Sequence, residues 1–158
     1  MFSNKIPNIK EVRLELLDPE YHIKEVFDPA KLRYNISVKV SLKSKTSVEF
    51  FIHIVYAYVQ NENDRKNIIH TDYISTIEFN PAEKSRSTKN IKIKVEHLAH
   101  MLGSSIMMIR GAITQRLVGN LLITYPLPVV NPTELLKEKI NEKDGFFELQ
   151  LSRPLAKI

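Results

Sequence analysis

The chain has 158 residues, a formal net charge of +5 and no cysteine. Its length predicts one domain with its own hydrophobic core. The lack of cysteine excludes a disulfide framework, a cysteine-ligated zinc site and a thiol nucleophile, and fits a reducing compartment. The N-terminus lacks the apolar stretch of a secretory signal, and no apolar run approaches the roughly 20 residues of a membrane span. We therefore expect a cytoplasmic protein.

Alternating and β-branched stretches in the first half of the chain predict the strands of a sheet. Val48–Val59 is apolar on both faces, so one layer of helix covers only one of them. A partner subunit, another part of the chain or a ligand must cover the other face. The predicted strands are Ile9–Leu17, Tyr34–Leu42, Val48–Val59 and Ile68–Phe79.

A long helix is predicted in an acid-free region between Glu96 and Glu134. Apolar side chains recur at helical spacing from Leu98 to Leu117, and Gly119 is typical of a helix C-terminus. The alternating stretch before it, Ile91–Val95, either finishes the sheet or leads into the helix.

Two prolines, Pro126 and Pro128, exclude a regular helix after Gly119 and predict an apolar extended crossing over Leu121–Val130. Asn131 then caps a short helix, predicted over Pro132–Lys143 and ended by Asp144-Gly145. The alternating piece Phe147–Leu151 adds a strand to a sheet edge. The pattern predicts an α+β fold with four strands, one long helix, an apolar crossing with two prolines and a short helix, in that order.

Three segments resemble motifs of the bacterial export chaperone SecB. Leu98–Gly103, LAHMLG, resembles the start of its long helix, and Ile109–Thr114, IRGAIT, resembles its arginine-containing segment. Leu127–Leu136, LPVVNPTELL, is similar to its signature at the crossing and the short helix. The order of the predicted elements is also that of SecB, and the resemblance covers residues 9–143. The resemblance implies the SecB-like α+β fold: an antiparallel four-stranded sheet packed by one long helix, a Pro-rich crossover loop and a short C-terminal helix. The chain is identified as a divergent SecB-like protein.

This resemblance implies an ATP-independent holdase chaperone that keeps client proteins unfolded in long apolar grooves, for protein export. It implies a homotetramer built as a dimer of dimers, with no cofactor and no catalytic site. The SecB-like domain spans residues 1–145, and residues 146–158 form a C-terminal extension. The resemblance also implies the translocase motor SecA as a partner. Typical SecB docks SecA through acidic residues of its sheet, whereas the corresponding strands of this chain carry few acids.

The candidate client-binding groove consists of apolar side chains from the predicted sheet, helix and crossing. Methionine suits such a site because its side chain is flexible and polarisable. Each residue alone is more often core or subunit interface, but an apolar segment that runs over a surface usually meets a partner. The candidates are Phe51, Val55, Tyr58, Met107, Met108, Leu121, Leu122, Ile123, Tyr125 and Leu127.

An alternative hypothesis keeps the SecB-like fold but assigns the chain to an adaptor, or to a toxin–antitoxin chaperone, that binds one dedicated partner through a basic face. Nucleic acid is a disfavoured partner, because no basic patch with base-stacking aromatics is present. The basic residues of this face are Lys84, Arg86, Lys89, Lys92 and Lys94.

Histidines give weak support for an enzyme or a metal site. His97 and His100 lie one helical turn apart, but no third ligand is evident. His70, Asp72 and Ser75 have the composition of a catalytic triad, but a strand points them to different faces. We therefore expect neither a metalloprotein nor a hydrolase.

Overall fold

The computed structural model of the chain describes residues 6–16, 27–80, 90–119, 122 and 125–151. The four predicted strands form one antiparallel sheet with the order β1-β4-β3-β2, so β1 and β2 are its edges. A bulge interrupts the pairing of β1 with β4 between Glu11 and Arg13. The strands are β1 (Asn8–Leu16), β2 (Leu32–Ser44), β3 (Ser47–Asn61) and β4 (Asp64–Glu78).

The predicted long helix is confirmed as α1 (Val95–Arg116), which packs on one face of this sheet. Its apolar stripe is buried, and the buried hydroxyls of Ser105 and Ser75 lie 2.7 Å apart, which ties α1 to β4. After the last turn, Gly119 has a φ of +82°, a conformation that glycine adopts without strain.

The crossing covers the part of the same face that lies over β2 and β3. The side chains of Leu122 and Leu127 are fully buried in the core that α1 shares with the sheet. The short helix α2 (Pro132–Lys137) follows, and the Asn131 side chain accepts a hydrogen bond from the Thr133 N–H at 3.0 Å. The predicted N-terminal cap is thus present, and the described residues 125–130 of the crossing form no helix.

The predicted extent of the short helix was wrong, because α2 ends at Lys137 rather than Lys143. Strand β6 (Glu142–Lys143) is followed directly by Asp144 and Gly145, with φ angles of +54° and +79°. Two consecutive positive φ angles close a two-residue hairpin, for which Asp-Gly is a preferred pair. This pair therefore turns the chain into β7 (Phe146–Gln150) instead of ending a helix.

A second sheet joins the two ends of the α-helical region. Strand β5 (Asn90–Lys94) pairs with β7, and β7 pairs with β6, in the order β5-β7-β6. The predicted strand at residues 147–151 is therefore present, but its main partner is β5, and Phe147 is fully buried in the common core. The predicted domain boundary after residue 145 falls inside the β6–β7 hairpin. Within the described residues, no helix has the length and apolarity needed to cross a membrane.

Candidate functional site

Strand β3 is apolar on both faces, as predicted, but its two faces belong to different surfaces. Tyr58 lies on the face toward α1, is 4% exposed and belongs to the core. Phe51 and Val55 lie on the opposite face, where Phe51 pairs in register with Ile74 of β4. Phe51 is half-buried and Val55 is 8% exposed. The sheet thus separates Phe51 and Val55 from the other groove candidates that the structure describes.

Aromatic side chains gather where the crossing meets the sheet. The ring of Phe27 lies 5.4 Å from that of Tyr58 and 5.1 Å from that of Tyr125. The Tyr34 hydroxyl donates to the main-chain oxygen of Tyr125 at 3.4 Å. Tyr58 and Tyr125 are therefore both in contact with Phe27, an aromatic residue that is not among the groove candidates.

Several groove candidates from the crossing fill the core or fall in undescribed parts of the chain. Leu122 and Leu127 are 0% and 1% exposed, whereas Tyr125 is half-buried. Leu121 and Ile123 lie outside the described residues.

The two methionines of the predicted groove lie on the solvent-facing side of α1. Met107 is 61% exposed and Met108 is 42% exposed. We call the exposed apolar and uncharged polar side chains of this side the methionine face. Residues 101–119 are all described, and Arg116 is the one charged residue among their exposed positions. The methionine face comprises Met107, Met108, Thr114, Gln115 and Val118.

A pocket of about 260 Å³ lies beside the methionine face, between α1, β1 and β4. Most of its floor is apolar and comes from Ile9, Met108 and Ala112. Its remaining lining residues are Glu11, Tyr73, Gln115 and Arg116.

One end of the pocket is closed by a hydrogen-bonded network around Glu11. The Tyr73 hydroxyl donates to Glu11 Oε1 at 3.2 Å, and Arg116 Nη2 donates to Glu11 Oε2 at 2.6 Å. Burial, with a further contribution from the Glu11 charge, raises the pKa of Tyr73 to about 12. Tyr73 is therefore a neutral donor at physiological pH, and each carboxylate oxygen of Glu11 accepts one hydrogen bond in this network.

Sequence reasoning found Met108 but missed Ile9, Glu11 and Tyr73 as pocket residues. The alternation of β1 and β4 indicates which of their side chains share a face. No signal in the sequence indicates that α1 leaves a gap above these three residues.

The polar residues considered as catalytic or metal candidates do not form one site. Asp72 accepts hydrogen bonds from Arg13 Nε at 3.1 Å and from His53 Nδ1 on the sheet face away from α1. Ser75 and Thr71 point to the opposite, buried face, as the alternation of a strand predicts. Among the described residues, no three His, Cys, Asp or Glu side chains are placed to hold a metal ion.

The predicted basic face is described only in part. Lys92 and Lys94 are exposed on β5. Lys84, Arg86 and Lys89 lie outside the described residues.

Comparison with known proteins gives no family assignment for this chain. No model of a known protein family matches it, and a search of curated proteins finds no similar sequence. Its relation to SecB is therefore a resemblance carried by the three segments named above.

Proposed function

We propose that this protein is a SecB-like, ATP-independent holdase that binds unfolded client proteins through exposed apolar surface. The observation that carries this proposal is the methionine face of α1, which is exposed, almost uncharged and adjacent to an apolar pocket. An unfolded client presents apolar segments without a fixed shape, so its binding site must be broad and adaptable. Flexible methionine side chains meet that requirement.

The composition of this surface differs from that of an ordinary solvated helix. Charged residues make up 26% of the chain, and the outward face of an amphipathic helix normally carries many of them. Two arginines of α1 flank the methionine face: Arg116, whose guanidinium is paired with Glu11, and the half-buried Arg110, whose Nη1 lies 3.8 Å from the sulfur of Met107. An exposed helix face without a charged residue of its own is typical of a binding surface.

Other exposed apolar side chains lie on β1, on α1 or next to these two elements. Among the described residues, seven large apolar side chains are exposed, and all except Val129 lie in or next to β1 and α1. Single exposed apolar residues are normal, but six of them on or beside two elements that contact each other support an interaction surface. The six residues are Ile6, Val12, Leu16, Met107, Met108 and Val118.

We further propose a homotetramer that acts in the cytoplasm, in keeping with the resemblance to SecB. Several copies of a weak apolar surface on one particle bind several segments of one client, which raises the overall affinity without strong individual contacts. No nucleotide is needed, because binding and release follow from the equilibrium of these weak contacts. The resemblance to SecB extends this proposal to delivery of the bound client to SecA.

The proposal is tested by aggregation assays without nucleotide. A denatured preprotein is diluted from urea in the presence of the purified protein, and light scattering is followed. We expect suppression at a near-stoichiometric ratio. The double variant Met107→Asn and Met108→Asn should suppress aggregation markedly less, because it replaces flexible apolar groups with amides.

The control for this assay is Lys39→Gln, an exposed residue on β2 whose replacement should leave suppression unchanged. A well-folded oligomer that fails to suppress aggregation would contradict the holdase proposal. That result would favour the adaptor hypothesis, in which the apolar surface is closed by assembly and one dedicated partner binds elsewhere.

A further inference from the structure

We infer that Met107 is a site of reversible oxidation to methionine sulfoxide, with hydrogen peroxide as the oxidant, and that Arg110 holds the oxidised side chain. The modification itself does not depend on the proposed holdase function. Its consequence, a loss of client binding when the methionine face becomes polar, rests on that function and adds a means of regulation to it.

Methionine is the one kind of oxidisable sulfur in this chain, which has four methionines and no cysteine. Three of the four lie on α1, where their exposure differs widely. Met107 is 61% exposed and Met108 is 42% exposed, whereas Met101 is 3% exposed. Peroxide reaches a thioether that is open to solvent, so Met107 and Met108 are accessible and Met101 is protected on the same helix.

The oxidation step is a two-electron transfer of one oxygen atom. A lone pair of the Met107 sulfur attacks one oxygen of hydrogen peroxide, the S–O bond forms and the O–O bond breaks. The departing hydroxide takes up the proton of the transferred oxygen and leaves as water. The sulfur is oxidised, the peroxide is reduced, and no further reactant is needed.

The oxidised form of Met107 has a hydrogen-bond donor already in place. Arg110 follows Met107 by one helical turn, and its Nη1 lies 3.8 Å from the Met107 sulfur. A thioether sulfur is a weak acceptor, whereas oxidation makes this side chain polar. The oxygen added to the sulfur comes within reach of Nη1 and accepts a charge-assisted hydrogen bond from it.

The guanidinium of Arg110 is available for this contact. None of the ion pairs among the described residues involves Arg110, and its buried Nε has no hydrogen-bond partner among them. Burial raises the pKa of the Tyr56 hydroxyl, and the nearby charge of Arg110 partly opposes this effect. The half-buried guanidinium therefore lies between the core and the methionine face, with N–H donors left for an oxygen at Met107.

Oxidation changes the property of the methionine face on which client binding depends. A sulfoxide replaces a flexible apolar group with a polar one, and the contact with Arg110 restricts the movement of that group. Methionine sulfoxide reductases reverse the reaction. The same surface therefore has an apolar, binding form and a polar, weakly binding form.

The modification is tested by treating the intact protein with hydrogen peroxide and locating the added oxygen by peptide mass spectrometry over time. We expect sulfoxide at Met107 and Met108 to form at least about tenfold faster than at Met101, because Met101 is buried. Equal rates at Met107 and Met101 would overturn the inference.

The role of Arg110 is tested in two matched single variants. Met108→Leu leaves Met107 as the exposed methionine of α1, and Met107→Leu leaves Met108. The melting temperature of each is measured before and after oxidation, with and without Arg110→Leu. In the Met108→Leu protein, Arg110→Leu should increase the oxidation-induced fall in melting temperature by about 3 °C, because the sulfoxide loses its donor.

The Met107→Leu protein is the control, in which Arg110→Leu should leave the oxidation-induced shift unchanged. An effect of equal size in the two proteins would overturn the assignment of Arg110. If Arg110→Leu does not fold, Arg110→Gln replaces the charge with a neutral amide and should give a smaller change in the same direction.

The consequence is tested in the aggregation assay. The oxidised wild-type protein should require at least about threefold more protein for the same suppression, and a methionine sulfoxide reductase should restore its potency. The double variant Met107→Leu and Met108→Leu should be insensitive to peroxide, because leucine keeps the surface apolar.

The reduced wild-type protein separates the two proposals. If it suppresses aggregation and the oxidised protein does so equally well, the inferred loss of client binding is wrong and the holdase stands. If the reduced protein does not suppress aggregation, the holdase fails, while the mass spectra and melting temperatures still decide the modification.

Discussion

Arg116 Nη2 lies 2.6 Å from Glu11 Oε2, across 105 positions of sequence. This contact fastens the last turn of the long helix to the edge strand β1 and closes one end of the pocket. The same carboxylate accepts a hydrogen bond from Tyr73 of β4, so three elements meet at one group. The geometry of the pocket therefore depends on a polar network as well as on apolar packing.

The hydroxyl of Tyr73 should make stability depend on pH in the alkaline range. Its pKa is raised from 10.0 to about 12, so the folded state retains a proton that the unfolded state releases. The resulting stabilisation is complete below pH 10 and is lost as the pH rises through about 12. Its size is on the order of 2 kcal/mol.

Tyr73→Phe removes this titration and should flatten the fall in the free energy of unfolding above pH 10. Urea denaturation of both proteins at a series of pH values measures the difference. The pKa of Tyr56 is also raised by burial, so a residual fall should remain in the variant. Identical pH profiles for the two proteins would contradict this assignment.

Two residues of the crossing should respond to truncation in opposite ways. Leu127 is 1% exposed within the core, and Val129 is 82% exposed. Leu127→Ala should lower the free energy of unfolding by about 2–5 kcal/mol, because it leaves a cavity. Val129→Ala should change it by no more than about 0.5 kcal/mol. Chemical denaturation measures both values, and a small effect at Leu127 would show that the crossing contributes little to the core.

The contributions of Ser75 and Ser105 to the free energy of unfolding should be coupled, because their buried hydroxyls are in contact. The two hydroxyl oxygens lie 2.7 Å apart, and Ser105 also donates to the Met101 carbonyl oxygen at 2.9 Å. Ser75→Ala should cost about 1 kcal/mol, because it leaves a buried hydroxyl with fewer partners. The double variant should cost less than the sum of the single variants in a double-mutant cycle. Strict additivity would argue against a direct bond.

Two glycines should give opposite results when replaced by alanine. Gly111 lies inside α1, and a Cβ at this position would meet nothing within 4 Å. Gly111→Ala should therefore stabilise the fold by about 1 kcal/mol, through helix propensity. Gly145 has a φ of +79° in the β6–β7 turn, a conformation that is strained for alanine. Gly145→Ala should therefore destabilise the fold. Thermal unfolding tests both signs, and a destabilising Gly111→Ala would indicate that another backbone packs against α1 in the assembled protein.

Part of the candidate site could be predicted from the sequence. Met107 and Met108 were identified because they widen the apolar stripe of α1 beyond what one packed face requires, and both are exposed. The separation of Phe51 from Tyr58 was also implied by the two-residue period of a strand. Because their side chains point to opposite faces of the sheet, a single groove could contain both residues only if it crossed the sheet.

The sequence by itself determined the first four strands and the long helix of this protein, because local patterns act through local forces. Period-two alternation specified β1 to β4, helical spacing specified α1, and Pro126 and Pro128 are part of a described segment, residues 125–130, that contains no helix. Only the tertiary structure decided that β7 joins β5 in a second sheet, and that Ile9, Tyr73 and Met108 line one pocket. Those residues are far apart in the chain, and the contacts between them arise from the way α1 and the strands bury their apolar faces together. No local pattern carries the information about where that packing leaves an open space.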